Sequence, residues 1–175
     1  GRVFQAPSLG TVPGLSILEN LSVAANKGRP YGLKFAVPKK KNDLLYSAVA
    51  ELGLGLEDKM DIPVGLLSGG QRQAIALLMA TMTPISFLIL DEHTAALDPK
   101  TAEIIMKLTD RIVREKSLTA IMVTHNLRYA VEYGNRMLML HHGDIVLERK
   151  AAAKTETTVD DILSVFNEIS IECGN

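Results

Sequence analysis

The hydrophobic pattern along the chain has two periods, which predict an alternation of helices and strands. Apolar residues spaced three or four apart are typical of a helix that buries one face. They recur in segments that span residues 16–26, 44–52, 69–83, 99–116, 126–133 and 158–169. Short apolar runs, which are typical of strands, lie at residues 3–5, 87–90, 118–124, 136–141 and 144–149. This order of elements predicts an α/β fold.

Capping residues mark the ends of several predicted helices. Asn42 or Asp43 is the expected N-cap of the second helix, and Gly53 ends that helix. Asp98 followed by Pro99 is a strong helix start. Aspartate caps the free N–H groups there, and proline is well accepted at the first helical position.

Proline and glycine mark the predicted loops at residues 6–14 and 27–42, and His142-Gly143 predicts the turn of a hairpin. The second loop ends in Lys39-Lys40-Lys41. We interpret this basic run as part of a solvated loop, because a nucleic-acid surface would have more charge and interleaved aromatic residues.

The composition is that of an ordinary globular protein, with 47% hydrophobic and 22% charged residues among 175. The formal net charge is −1, so no overall field recruits nucleic acid or anionic lipid. The single cysteine, Cys173, cannot form an internal disulfide, which suits a reducing compartment. No apolar run reaches the ~18–20 residues that a membrane span needs. We therefore expect a soluble, cytoplasmic protein.

The first candidate for chemistry is the segment Leu67-Ser68-Gly69-Gly70-Gln71. Ser68 is a natural N-cap, and Gln71 follows at the spacing of a capping box. A hydroxyl, two glycines and several unpaired N–H groups therefore meet at one predicted helix N-terminus. Such a terminus favours a phosphate by roughly 0.3–1 kcal/mol per charge when it is exposed. Taken alone, the segment is explained equally well as a capped helix without a ligand.

The second candidate is the apolar run Phe87–Leu90, which leads directly into the carboxylates of Asp91 and Glu92. The end of a strand is where an α/β sheet places its chemistry. Together the two motifs resemble those of ATP-binding-cassette (ABC) ATPases. Leu67–Gln71 is similar to the signature motif of that family, and Phe87–Glu92 is similar to its Walker B strand with the catalytic glutamate. Their order and separation also match the family.

The resemblance implies ATP as the nucleotide, Mg²⁺ as the metal and a role for each matching residue. Asp91 would hold Mg²⁺ through water, and Glu92 would be the general base. Gln5 resembles the glutamine of the Q-loop, which contacts the metal and the attacking water. His125 resembles the switch histidine, which contacts the γ-phosphate.

Other matching residues would act across a dimer of ATPase subunits. Ser68, Gly69, Gly70 and Gln71 would contact nucleotide bound by the second subunit, and Asp98 belongs to a segment that resembles the D-loop, which crosses to that subunit. The chain also departs from the family pattern at a few positions. His93 stands where the family usually has proline, and Ala74 and Leu78 replace commonly basic residues. We interpret these departures as marks of a subfamily.

The resemblance further implies the P-loop NTPase (RecA-like) fold, incomplete at the N-terminus and with an inserted α-helical subdomain. Residues 1–7 and 85–150 would form the partial core, residues 8–84 the helical subdomain that ends in the signature helix, and residues 151–175 a C-terminal helical extension. The phosphate-binding G-x-x-x-x-G-K-[ST] loop is missing, since no Gly-Lys dipeptide occurs in the sequence. In the family that loop precedes the Q-loop, so we expect it upstream of Gly1.

The expected function is that of an ATP-binding and ATP-hydrolysing subunit that powers an ABC transporter, with import favoured over export. Its partners would be a second ATPase subunit, transmembrane permease subunits and, for an importer, a substrate-binding protein, with no nucleic acid. It would lie peripherally on the inner face of the cell membrane. The alternatives are a soluble ABC ATPase of DNA maintenance or translation, and a non-catalytic truncated cassette.

We predict that these 175 residues by themselves neither bind ATP tightly nor hydrolyse it, because the P-loop provides most of the family's grip on phosphate. We also expect self-association through uncovered apolar strands, since exposed apolar area costs roughly 25 cal/mol per Å². Calorimetry with Mg-ATP and light scattering test both expectations. Micromolar ATP binding by a clean monomer would contradict them.

Overall fold

The computed structural model describes residues 1–28 and 39–172. They form two compact units, Gly1–Val123 and Thr124–Asn175, and each unit is described by itself. Part of the second predicted loop, residues 29–38, lies outside the described residues, as does Cys173. Within the described ranges, no helix combines the length and apolarity needed to cross a membrane.

The first unit is built on a parallel sheet of three strands. The strands are β1 (Arg2–Val3), β2 (Phe87–Asp91) and β3 (Thr119–Val123), with β2 in the centre. Val3 pairs with Leu90, and Asp91 pairs with Val123. The carboxyl ends of all three strands therefore lie at one edge of the sheet. The helices of this unit are α1 (Ile17–Ala25), α2 (Lys39–Ala50), α3 (Gly69–Thr81) and α4 (Pro99–Glu115).

The hydrophobic core of this unit lies between the helices and one face of the sheet. Leu88 and Leu90 of β2 are buried in it. The helices contribute a larger buried set, which includes Ile17, Leu21, Val49, Ala74, Ile75, Leu77, Ile105 and Leu108. Successive strand residues point to opposite faces. The second face therefore exposes apolar side chains, among them Ile121 and Val123, which are 54% and 49% exposed.

A buried asparagine holds the loop that enters α1. Asn20 is fully buried, and its side chain accepts a hydrogen bond from the N–H of Val12. Its amide nitrogen also donates to the carbonyl oxygens of Val12, Leu15 and Ser16. Because every polar atom of this side chain is paired, its burial is not penalised. Asn20 thereby fixes the path of residues 12–16 relative to α1.

The second unit contains a hairpin and three helices. Strands β4 (Arg136–His141) and β5 (Asp144–Lys150) pair antiparallel, and the helices are α5 (Leu127–Glu132), α6 (Ala151–Glu156) and α7 (Val159–Glu172). The turn residues His142 and Gly143 both have positive φ, 48° and 92°, which is the pattern of a type I′ hairpin turn. Met137, Leu147 and Ile162 form the small core of this unit.

Most predicted elements are present within one or two residues of their predicted bounds, and the main exceptions are the start of α2 and the presence of α6. Helix α2 begins at Lys39, so the basic run lies inside the helix and not in a loop. The prediction of Asn42 or Asp43 as its N-cap was wrong for the same reason, because both positions lie within the helix. Lysine is a good helix former, and a helix start without a capping signal is hard to place. Helix α6 was not predicted. The proposed division into a core, a helical subdomain and an extension stays a prediction.

Candidate functional site

The N-terminus of α3 has the predicted capping box. Ser68 Oγ accepts a hydrogen bond from the N–H of Gln71 at 3.3 Å, and Gln71 Oε1 accepts one from the N–H of Ser68 at 3.2 Å. Both side chains of the candidate signature motif are thus held against the backbone of the first helical turn. This contact sets the direction in which α3 leaves the preceding loop.

Gly70 lies where α3 passes close to the start of α4. A Cβ at Gly70 would stand only 2.0 Å from Cγ2 of Thr101, whereas a Cβ at Gly69 would stand 3.4 Å from Cδ2 of Leu97. Real Cβ contacts are essentially never shorter than 3.0 Å, so a side chain at Gly70 would force Thr101 to move. The structure therefore places the candidate signature motif directly beside the segment that resembles the D-loop.

Asp98 caps α4, as its sequence context predicted. Its carboxylate accepts a hydrogen bond from the N–H of Thr101 at 3.1 Å. The hydroxyl and the N–H of Thr101 lower the pKa of Asp98 below its usual value. The same threonine thus contacts Gly70 through its methyl group and Asp98 through its hydroxyl, which links the two motifs through one side chain.

Two residues just after the signature motif also hold the site, and the sequence analysis did not single them out. Arg72 Nη2 donates to the carbonyl oxygens of Gly65 and Leu67, at 2.9 and 3.1 Å. Gln73, which is fully buried, donates from Nε2 to the carbonyl oxygen of Phe4 at 3.1 Å. The bond from Gln73 ties α3 to the residue before Gln5. A polar residue on the apolar face of a helix was the signal that could have revealed it.

Asp91 ends β2 and forms an ion pair with Arg2 of the neighbouring strand. The distance from Arg2 Nη2 to Asp91 Oδ2 is 2.6 Å, and both side chains are partly exposed. Such an exposed pair stabilises the fold by only about 0–1 kcal/mol. Mg²⁺ is commonly bound through one or two carboxylates together with waters and substrate phosphates. A single partly exposed carboxylate at this position fits that arrangement. Among the described residues, no group of three His, Cys, Asp or Glu side chains could hold a metal by itself.

Glu92 has an unusual backbone conformation. Its φ is 44°, a left-handed value that is strained by about 1–3 kcal/mol in a residue other than glycine. Its N–H donates to the carbonyl oxygen of Val123 at 3.0 Å, and its carbonyl oxygen accepts from the N–H of Ala95 at 2.9 Å. These bonds on both sides of Glu92 oppose relaxation of the strained backbone.

His93 follows Glu92 and points into the interior, where it is only 2% exposed. Its Nε2 lies 3.1 Å from Oγ1 of Thr109 on α4. Burial lowers the pKa of His93 to about 4, so the ring is neutral near pH 7. The sequence analysis noted this histidine only as a departure from the family pattern, because a side chain's burial cannot be read from one position.

The other two predicted catalytic residues, Gln5 and His125, lie in different compact units of the chain. Gln5 is exposed and lies two residues beyond β1, at the same edge of the sheet as Asp91 and Glu92. His125 is exposed and belongs to the second compact unit. The contact of His125 with the γ-phosphate, which the resemblance implies, stays a prediction.

Comparison with known proteins identifies the family of the chain. The model of the ABC transporter family matches residues 1–95, more than half of the chain. The chain belongs to the ABC transporter family. A solved dimer of an ATP-binding cassette, in a post-hydrolysis state with ADP and Pi, superposes on it with a TM-score of 0.69 at 28% identity. That match covers 86% of this chain and 62% of the solved one. The predicted ABC ATPase fold of the P-loop NTPase class is thereby confirmed.

Curated relatives of this ABC family member are named as transport proteins. It is 50% identical over 165 residues to a tyrosine transport ATP-binding protein of Clostridioides difficile, a match that covers 94% of this chain and 65% of the relative. It is 36% identical over 146 residues to the methionine import ATP-binding protein MetN 2 of Bacillus cereus, covering 79% of this chain and 42% of that relative. The chain thus spans less than two thirds of the length of either protein.

The contact at Gly70 of this ABC chain predicts a large effect of one added methyl group. Gly70→Ala should lower the free energy of unfolding by about 1–3 kcal/mol, because overpacking displaces α3 from α4. Thr101→Ser in the same chain should restore most of the loss, since serine lacks the clashing methyl group but keeps the hydroxyl. Urea denaturation measures both effects. Gly69→Ala is the matched control, with an expected change below about 0.5 kcal/mol. Equal losses for the two alanine variants would contradict the packing argument.

The buried imidazole of His93 predicts a loss of stability in acid. Its pKa is lowered to about 4 from 6.5, so below pH 6.5 the unfolded chain binds a proton that the folded chain rejects. Stability from this group is therefore complete above pH 6.5 and falls as the pH approaches 4, by up to about 1.4 kcal/mol per pH unit. Urea denaturation between pH 7.5 and 4.5 measures the slope. His93→Gln should flatten it, whereas His142→Gln, which changes an exposed histidine, should leave it unchanged. An unaltered slope in His93→Gln would refute the assignment.

Proposed function

We propose that the chain is part of an ATP-binding and ATP-hydrolysing subunit that powers an ABC transporter, and that the transporter is an importer. The observation that carries this proposal is the pair of carboxylates at the carboxyl end of β2, with Asp91 closing the strand and Glu92 held in a left-handed turn. The names of the relatives, which include a methionine import protein, favour import. The identity of the solute is left open.

The proposed chemistry is hydrolysis of the γ-phosphate bond of ATP. Mg²⁺, held by Asp91 through water with Gln5 nearby, would supply charge neutralisation at the β- and γ-phosphates. Glu92 would accept a proton from the attacking water and orient it toward phosphorus. His125 would contact the γ-phosphate and keep the water and Glu92 in register. A carboxylate that follows a rigid central strand is well placed for this task, because misorientation of a base slows proton transfer.

The signature residues would act on nucleotide bound by another subunit. Ser68, Gly69, Gly70 and Gln71 open a 13-residue helix, whose N-terminal N–H groups and dipole favour phosphate. Asp98 lies beside this motif through Thr101. We therefore propose that the active unit is a dimer of ATPase subunits in which each composite site uses both chains. The dimeric solved cassette, which holds ADP and Pi, supports this arrangement.

The further partners proposed are membrane permease subunits and, for an importer, a substrate-binding protein, with the ATPase bound peripherally at the inner face of the membrane.

The predicted inactivity of the 175-residue chain alone also remains a proposal. The exposed apolar face of its sheet, with Ile121 and Val123, supports the expected self-association. A role in DNA maintenance or translation is less favoured. Among the described residues of the range 8–84, the helices are the short α-helices α1 to α3 and three-residue 3₁₀ helices, and the relatives are named for transport.

The proposal predicts that Glu92→Gln in the full-length protein lowers ATP turnover by roughly 10²–10⁴-fold, because the amide keeps the size of the side chain but accepts no proton. ATP should still bind with little change in Kd. Phosphate release and equilibrium nucleotide binding measure the two quantities. Glu115→Gln, at an exposed glutamate at the end of α4, is the control and should leave turnover unchanged. Near-normal hydrolysis by Glu92→Gln would remove this residue from the role of base.

A further inference from the structure

A loop of residues 92–98 joins β2 to α4, and it carries both Glu92 and Asp98. Asp98 at its end is held to Thr101 on the first turn of α4. His93, near its beginning, reaches Thr109 on the same helix. Eight residues of helix correspond to about 12 Å along the axis. The loop is therefore attached to α4 at two widely separated points.

The direction of the hydrogen bond at His93 follows from its partner. Thr109 Oγ1 donates its only proton to the carbonyl oxygen of Ile105 at 2.8 Å. It can therefore only accept from His93, which requires the proton of the imidazole to be on Nε2. Both side chains are buried, at 2% and 3% exposure. A buried hydrogen bond of this kind is directional and fixes the orientation of the side chain. An apolar side chain of similar size would fill the same space without that constraint.

The hydrogen bond between His93 and Thr109 lies next to Glu92, the residue with the strained backbone. Glu92 keeps its φ of 44° only because the surrounding structure determines its backbone on both sides. On the β2 side, that constraint is the bond from its N–H to Val123. On the other side, its carbonyl oxygen accepts from the N–H of Ala95, and the next residue is His93, whose side chain is anchored in the interior. Without the anchor at His93, the bond from Ala95 would be the remaining constraint on the peptide after Glu92, so that peptide would rotate more easily toward an unstrained conformation and turn the carboxylate away.

We infer that His93 is a positioning residue for Glu92: its hydrogen bond to Thr109 fixes the start of loop 92–98 and thereby the orientation of the carboxylate. The inference rests on the proposed role of Glu92 as general base. His93 itself does not contact the reacting atoms, and its contribution is made through the backbone of its neighbour. Thr109, which accepts this hydrogen bond, is a positioning residue in the same sense.

Four variants of the full-length protein test the inference. His93→Leu and Thr109→Val should each lower kcat by about tenfold or more, since small misplacements of a catalytic group cost up to about a hundredfold. The Kd for ATP should stay within about twofold. His93→Gln should retain most of the activity, because its amide N–H can reach the same acceptor. Thr81→Val is the matched control: Thr81 is also buried and bonds to the carbonyl oxygen four residues earlier, at 2.9 Å, but it has no bond to a histidine.

Combination with Glu92→Gln separates this inference from the proposed function. In the Glu92→Gln background, His93→Leu should cause no further loss of kcat, because the group that it positions is already inactive. An additional loss of the full single-variant size would overturn the inference, as would a loss that disappears after correction for the folded fraction measured by denaturation. Normal kcat in His93→Leu alongside an inactive Glu92→Gln would also overturn it, leaving the proposed function intact. Normal turnover in Glu92→Gln would instead refute the proposed function first.

Discussion

The close approach of α3 to α4 at Gly70 is the constraint on which the rest of the site depends. Because a Cβ at Gly70 would clash with the methyl group of Thr101, the first turns of the two helices pack at a distance that suits glycine. The capping box of α3 and the aspartate cap of α4 then lie side by side.

Buried hydrogen bonds, not exposed ion pairs, hold the functional segments in place. Gln73 ties α3 to the chain just before Gln5, and His93 ties the loop after β2 to α4. A buried polar group that loses its partner costs about 1–3 kcal/mol, so these links resist rearrangement. The exposed pair of Arg2 and Asp91 contributes little to stability and leaves Asp91 accessible to other ligands. Buried bonds therefore hold these segments, while the carboxylate of Asp91 stays partly exposed.

The two faces of the sheet differ in how far their apolar side chains are exposed. Leu88 and Leu90 face the helices and are buried, while Phe87 and Ile89 lie on the opposite face, where they are 40% and 36% exposed. Parallel sheets are ordinarily covered on both faces. The chain spans 65% of the length of the tyrosine transport relative. An apolar face of this kind favours association over a free monomer.

The sequence by itself determined the features that depend on neighbouring residues. The capping box at Ser68, the aspartate cap at Asp98, the strand before Asp91 and the turn at His142 all follow from residue types within a few positions of one another, so each could be predicted from local spacing alone. The motifs likewise identified the family. The start of α2 and the presence of α6 could not be predicted in this way, because their ends have no capping side chain or lack a clear local signal.

Only the tertiary structure decided which distant groups meet. Gln73 bonds to a residue 69 positions away, Arg2 to one 89 positions away, and His93 to one 16 positions away on a different element. Such pairs depend on how helices and strands pack, and a single sequence has no local signal of that packing. The same holds for the close packing of Gly70 against Thr101 and for the strained backbone of Glu92. The physical reason is that capping and periodicity are properties of short segments, whereas burial and long-range hydrogen bonds exist only once the chain has folded.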